Sequence, residues 1–280
     1  MYNKYASNQE KYWVRAIIGQ DEFSITEGFN LRLMEVIEED AEANDNSINL
    51  SGMDGVLPAT NTFAPFNLVF KFKLNAFDVQ DFHLIKRKLK DFLHRREPYF
   101  IYHQKNAGMK FAVDRVEIET DRRSKNTGIF TVTFRAYKGY AESLGTCLDS
   151  LTFDADIWQA GTNLQIQDMR YIYDRSPISL YNASSDTINP LMRHSLDIAL
   201  TCEGSPRIEN ITTGDVYQFY GALKKQDVLL LSGVYTYVNN TRRGKDTNHQ
   251  VIRLAKGWND IRVTGVSNLL IAFSFPFIYR

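Results

Sequence analysis

The sequence predicts a mainly β chain in two folding units, the first α+β with one flanking helix and the second a β-sandwich. Three observations lead there. Aromatic residues make up 13% of the 280 residues, including 15 Tyr and 18 Phe, and aromatic side chains favour strands. Only one segment carries sustained helical spacing. Beyond residue 148, short apolar runs recur at roughly ten-residue spacing between turn residues, the rhythm of a sandwich or jelly roll. A chain of this length is expected to hold about two domains at roughly 150 residues each.

In chain order, Tyr12–Ile18 and Phe29–Val36 read as strands, with turn chemistry at Gly19-Gln20-Asp21-Glu22 between them. The run Glu38–Asn46 is acidic and without periodicity, and reads as a solvated loop or an extended arm. Pro58 and Pro65 bracket an irregular segment before a clear strand, Asn67–Leu74. The helix follows: Asp78 is its N-cap, and Val79, Phe82, Ile85, Leu89, Phe92 and Leu93 recur at helical spacing. Asp81 in the first turn and Lys90, His94, Arg95 and Arg96 toward the last suit the helix dipole. Tyr99–His103, Lys110–Thr120 and Gly128–Tyr137 read as strands, the last two joined by a polar hairpin tip. The pattern lapses around Gly139–Thr146, which sets the expected domains at 1–145 and 146–280. Beyond it the expected strands are 178–181, 196–202, 207–211, 216–220, 228–231, 234–238, 250–254, 258–263 and 269–275.

Composition narrows function. Lys plus Arg and Asp plus Glu are both 33, so the formal charge is zero, and a DNA-coating protein would show a basic excess. Two cysteines, Cys147 and Cys202, make neither a disulfide framework nor a four-ligand zinc site. The apolar stretch Leu269–Tyr279 is broken by Ser274 and Pro276 and is too short to span a bilayer. The first residues lack the apolar region of a secretory signal. The five histidines form no H-E-x-x-H and no i, i+4 pair on a helix, and no G-x-S-x-G or P-loop occurs. Carboxylate pairs such as Asp154/Asp156 and Glu117/Glu119 sit at alternating positions; among 33 acids they read as solvated faces rather than as the two facing carboxylates of a glycosidase. The sequence therefore gives no catalytic residue, no cofactor and no metal site. The sequons at Asn182, Asn210 and Asn239 carry no weight without a secretory signal.

Charge is unevenly placed. Between Asp21 and Asp54 lie ten acids and one base, Arg32, whereas Lys86, Arg87, Lys88, Lys90, Arg95 and Arg96 gather on the helix. The plain reading of the bases is the solvated face and C-terminal end of an amphipathic helix. The sharper one is an electrostatic contact with nucleic acid or with another copy, Lys86, Arg87 and Lys90 forming an intersubunit face.

The order of segments carries a resemblance. Gly52-Met53-Asp54-Gly55-Val56-Leu57-Pro58 precedes the alternating strand and the Phe82–Leu93 helix, which ends in Arg95-Arg96-Glu97-Pro98-Tyr99. Then come Lys110-Phe111-Ala112-Val113, a long hairpin, and Phe134–Ser143. This looks like the N-terminal domain of the distal tail proteins (Dit) of siphophages infecting Gram-positive bacteria. Ser179–Asn182, Asn189-Pro190, Ile208–Asp215 and the closing Lys256–Gly265 with Phe273-Ser274-Phe275 resemble that family's C-terminal domain. The resemblance implies a tail-tube-like β-barrel or sandwich with one flanking helix, followed by a galectin-like jelly roll. It implies a homo-hexameric ring in the virion, at the tail tip or baseplate, made in the host cytoplasm. Its implied partners are the tail tube protein, a tail-associated lysin or tip protein and receptor-binding proteins, with DNA passing without specific binding and no membrane insertion. Direct sugar binding is not implied, since there is no room for an inserted carbohydrate module.

A lumen crossed by DNA should not be lined by bases, because phosphates bind Lys and Arg strongly at low salt. Glu22, Glu27, Glu35 and Glu38, on or beside expected strands, are the candidate lumenal acids. The alternative function is carbohydrate binding through the second domain, with Tyr217, Tyr220, Tyr235, Tyr237 and Trp258 stacking on sugar rings, against the plain reading of strand packing.

Overall fold

The structure, a computed structural model, describes residues 12–150, 158 and 169–280; Asp154 and Asp156 lie outside them. It divides into two compact units, Met1–Ala141 with Arg280, and Glu142–Tyr279. The division falls at 141/142, short of the 145/146 read from the sequence. Residues past 141 already bond within the second unit: Ser143 N donates to Phe277 O at 2.8 Å and Cys147 N to Phe275 O at 2.9 Å.

The first unit is built from β1 (Val14–Ile18), β2 (Asp21–Ser24), α1 (Ile25–Gly28), β3 (Leu31–Glu38), β4 (Ala43–Asn44), β5 (Thr62–Phe63), β6 (Phe66–Asn75), α2 (Val79–Leu93), β7 (Tyr99–His103), β8 (Met109–Arg122) and β9 (Thr127–Ser143). Its main sheet runs β2-β1-β7-β8-β9-β6-β3. Two sequence readings change. Asp21 and Glu22 are not in the turn but open β2, paired with Ile18 and Ile17. The single turn α1 went unread, because its signal is only Ser24, whose Oγ accepts from Glu27 N at 3.2 Å.

One sheet face makes the core. Leu68, Phe70, Phe72 and Leu74 of β6 are fully buried, as are Phe130, Val132, Phe134 and Ala136 of β9, and the two strands pair from Phe66↔Ala136 to Asn75↔Thr127. Helix α2 caps as its sequence demands: Asp78 Oδ1 accepts from Asp81 N at 2.7 Å, and Asp81 Oδ2 accepts from Phe77 N at 3.0 Å. Phe82 stacks on Phe130 at 5.7 Å. It fills the space that a side chain at Gly128 would need, since a Cβ there would lie 2.9 Å from its ring. The buried stripe is Phe82, Leu89 and Leu93. Ile85 and Phe92 are only half-buried and Val79 is exposed, because the stripe is narrower than the sequence pattern. Phe92 instead packs beside Phe23 and Phe29 at 5.6 and 5.4 Å.

The second unit contains β10 (Ile172–Tyr173), β11 (Ile178–Asn182), β12 (Asp197–Asn210), β13 (Asp215–Gln218), β14 (Val228–Ser232), β15 (Tyr235–Val238), β16 (Thr241–Arg242) and β17 (Gly257–Ser274). Four of the expected strands merge into two: 196–202 with 207–211 in β12, and 258–263 with 269–275 in β17. The polar breaks between them are not turns but bulges, with register shifts at Thr201/Glu203 and Gly204/Arg207. Before the bulges β12 pairs with β14, and after them with β13, so the same two long strands serve both layers of the sandwich. Gly204 (φ +119°) and Gly265 (φ +77°) allow this close passage: a Cβ on Gly204 would sit 2.4 Å from Gly265 O, and one on Gly265 2.6 Å from Ser205 O. The expected strand 250–254 is absent; Leu254 makes a single bridge to Ile188.

Two measurements test this packing. Leu89→Ala should cost about 2–5 kcal/mol in urea unfolding, while Leu84→Ala, on the exposed side of α2, should stay within about 0.5 kcal/mol; equal costs would mean the helix face is misassigned. Gly204→Ala should destabilise the second unit by more than about 1 kcal/mol, and a neutral result would contradict the bulge.

Candidate functional site

Among the described residues, His and Cys side chains do not gather at one place. His83, His94 and His249 are exposed, whereas His103 and His194 are buried in different units. Burial pushes the Cys147 thiol up to about 12 and that of Cys202 up to about 11, so neither is a thiolate at neutral pH. Among the described residues no three His, Cys, Asp or Glu side chains are grouped to hold a metal ion, and no helix is long and apolar enough to cross a membrane. Glu117 and Glu119 are exposed on one side of β8, the solvated face expected of them. Asn182 and Asn210 are fully buried and tie loops together: Asn182 Nδ2 donates to Leu254 O at 3.1 Å, and Asn210 Nδ2 to Arg253 O at 2.7 Å and Asn259 Oδ1 at 3.0 Å.

What the first unit offers is surface. The sheet face opposite the core is laid out in rungs, Arg32↔Lys73↔Ile129, Glu35↔Lys71↔Thr131 and Ile37↔Val69↔Thr133. Strict alternation would put Glu35 on the core side with Leu31 and Leu33. A bulge between Leu33 and Glu35 leaves Met34 as the extra residue and turns Glu35 outward, where Lys71 Nζ lies 2.7 Å from its Oε2. Beside these rungs Arg135 binds Asp114 of β8 bidentately, with Nε to Oδ1 at 2.9 Å.

The four candidate acids lie at different places in the first unit. Glu22 on β2 binds Arg15 at 2.7 Å. Glu27 is exposed in the first turn of α1. Glu35 is on the exposed sheet face. Glu38 lies opposite buried Leu68, and its carboxylate receives Asn106 Nδ2 at 2.8 Å and sits 3.1 Å from Nε2 of fully buried His103. His103, stacked on Phe111 and edge-on to Phe70, went unread because a single histidine on an apolar strand carries no spacing signal. Of the helix bases, Arg87 and Lys90 are exposed and Lys86 is half-buried, with Arg87 4.0 Å from Asp91.

Residues 39–65 form an arm. Its base is β4 paired with β5, and farther out Ile48 and Leu57 exchange two 2.9 Å hydrogen bonds. The acidic run is therefore an extended arm and not a loop. Glu39, Asp40, Glu42, Asp45 and Asp54 charge it, with no base between Arg32 and Lys71. Toward its tip Ile48, Leu50, Met53, Val56 and Leu57 are all exposed. An isolated two-stranded ribbon is marginal in water, and this one leaves a run of apolar surface uncovered in the single chain.

Residues 20–136 match the family model described as "Phage tail protein RIFT-related domain". Among solved structures, the chain is similar to the crystal structure of the Dit protein of phage SPP1, described as a paradigm of the hub adsorption apparatus in phages infecting Gram-positive bacteria. The identity is 10% and the TM-score 0.65, over 95% of this chain and 99% of that one. The baseplate of phage p2 in its activated conformation also matches, with Sr at TM-score 0.47 and with Ca at 0.46, each at 12% identity over 94% of this chain and 97% of that chain. No curated protein matches in sequence. Residues 20–136 thus match a phage-tail domain, and the chain has a Dit-like fold over nearly its whole length.

The hydrogen-bonded guanidinium of Arg135 holds the Asp114 carboxyl below the usual carboxylate range. A depressed folded-state value stabilises the fold above the unfolded value of about 3.9 and loses that contribution as pH falls. Asp114→Asn should therefore cost about 1 kcal/mol at pH 7, and the gap from the unsubstituted protein should shrink steadily below about pH 4. A gap independent of pH would show that the pair is held by packing and not by charge.

Proposed function

We propose that this Dit-like chain is a structural subunit of a phage baseplate hub, copies of which close into a hexameric ring that joins the tail tube to the tail tip. The observation that carries the reading is the likeness in fold to SPP1 Dit along 95% of the chain, together with the phage-tail domain model over residues 20–136. The ring is assigned to the first unit, and the second unit is assigned the anchoring of adhesion proteins. In this reading the particle is a virion component, and the chain acts by position, without catalysing a reaction.

The physical case for assembly rests on the first unit's surface. The main sheet ends in β2 on one side and β3 on the other, and open strand edges are safe only when a neighbour closes them. The acidic arm and the basic side of α2, with Arg87 and Lys90 exposed, are complementary in charge and belong to one chain. A copy's arm laid on its neighbour's α2 would cover the apolar tip, and exposed Phe77 and Leu84 supply apolar surface to meet it.

DNA passing through the ring requires a wall that does not hold phosphate. Of the candidate lumenal acids, Glu27 is the exposed one free of a cationic partner among the described residues. Glu35 offsets Lys71 on a face that also carries Arg32 and Lys73, so it acts there as a neutraliser rather than as a source of negative potential. Glu22 and Glu38 are engaged with Arg15 and with His103 and Asn106.

Negative-stain imaging and solution mass of the full chain test the ring. Hexamers or stacked rings are expected, and a monomer at micromolar concentration would overturn the reading. Ile48→Asp with Leu57→Asp should disperse the ring and leave the circular dichroism spectrum unchanged. Glu27→Lys should leave the ring intact yet slow DNA ejection, most of all at low ionic strength; an unchanged ejection rate would remove Glu27 from the lumen.

A further inference from the structure

The second unit carries a surface that its packing does not use. Strands β11, β17, β12 and β13 lie side by side, and strict alternation along the start of β17 sends Asn259, Ile261 and Val263 into the core and Trp258, Asp260 and Arg262 outward. Cross-strand register fixes the neighbours: Trp258 opposite Tyr181, Asp260 opposite Ser179, and Arg262 opposite Glu209. The two aromatic rings meet at 5.1 Å, inclined at 57°, which leaves the Trp258 side chain 48% exposed. Among the described residues, Asp260, Arg262 and Glu209 have no side-chain hydrogen bond or ion pair, although an acid and a base lie directly opposite each other. An indole is thus held in place by a neighbouring ring, with uncommitted carboxylates and a guanidinium one and two rungs away.

We propose that this face of the second unit is a binding site for a neutral or N-acetylated oligosaccharide. One side of a pyranose ring presents C–H bonds and its rim presents hydroxyls. The negative π-face of Trp258 attracts the C–H side, and the acids and the arginine each accept or donate two hydrogen bonds to vicinal hydroxyls. From Trp258 to Arg262 the face runs roughly 14 Å at the usual strand rise, enough for more than one sugar ring. Of the five aromatics the sequence offered for stacking, Tyr217 is buried, where its hydroxyl meets Thr236 Oγ1 at 3.1 Å. Tyr235 is covered by Arg242 at 4.5 Å. Trp258 has uncommitted charged neighbours on its own face. The proposal is independent of whether the first unit forms a ring.

The test is binding of the full chain to an array of immobilised neutral and N-acetylated oligosaccharides, followed by isothermal titration calorimetry of each variant with every one retained, and by tryptophan fluorescence of the unsubstituted chain. The expected result is saturable binding that quenches Trp258 emission, falls at least tenfold in Trp258→Ala and in Asp260→Asn, and returns to within about threefold in Trp258→Phe, which keeps a π-face. Substitution at exposed positions leaves the fold in place, checked by an unchanged thermal midpoint. A silent array overturns the proposal, as does equal binding by Trp258→Ala. So does a silent array with loss of a baseplate protein from reconstituted particles in Trp258→Ala, which would make the face a protein-docking surface.

Discussion

Strands β6 and β9 pair along ten consecutive residues, and every second rung puts aromatic or aliphatic side chains into the same dry layer. Phe70, Phe72, Phe130 and Phe134 are completely buried there, each contributing about 1.5–3 kcal/mol by burial. Helix α2 rests on this ladder through Phe82, which lies on Phe130 and above Gly128, while its Phe92 reaches Phe23 and Phe29. Strand β3 takes its ladder from β6, with Lys105 Nζ donating to its Val36 O at 3.2 Å, and the arm springs from the end of β3. The surfaces that would face other molecules therefore depend on this one ladder.

That dependence explains how the first unit can carry so uneven a surface. A two-sided sheet allows acids, bases and apolar groups to be segregated on one face without loss of the core, since the buried residues lie on the other. The exposed charge pairs along it, Glu35–Lys71 and Glu22–Arg15, are worth little in water. They set the local potential and so influence what approaches.

The second unit solves a different problem. Two strands of 14 and 18 residues are too long to remain in one flat layer, and the facing glycines at 204 and 265 let them bend past each other at van der Waals limits. Buried asparagines then hold the loops. Asn210 and Asn259 satisfy each other and the backbone between residues 253 and 257, so the polar atoms that the bends expose to the core are paired.

Much of the architecture was legible in the chain because it rests on local rules. The α2 helix announces itself through Asp78, Asp81 and a 3.6-residue repeat, and the strands of β6 and β9 through period-two alternation. Dit-like segment order was visible as well. What sequence could not decide are events that break a period. The bulge at Met34 reverses the facing of Glu35, the Gly204–Gly265 passage turns an apparent loop into continuous strand, and Glu38 finds His103 across 65 residues of sequence. The width of the α2 stripe and the exposure of Trp258 likewise depend on what packs opposite. The sequence by itself determined where the long helix and most strands run and which of their faces are apolar, since alternation and capping are properties of neighbours in the chain. Only the tertiary structure decided which charges meet, because one inserted residue inverts a strand's faces at almost no local cost.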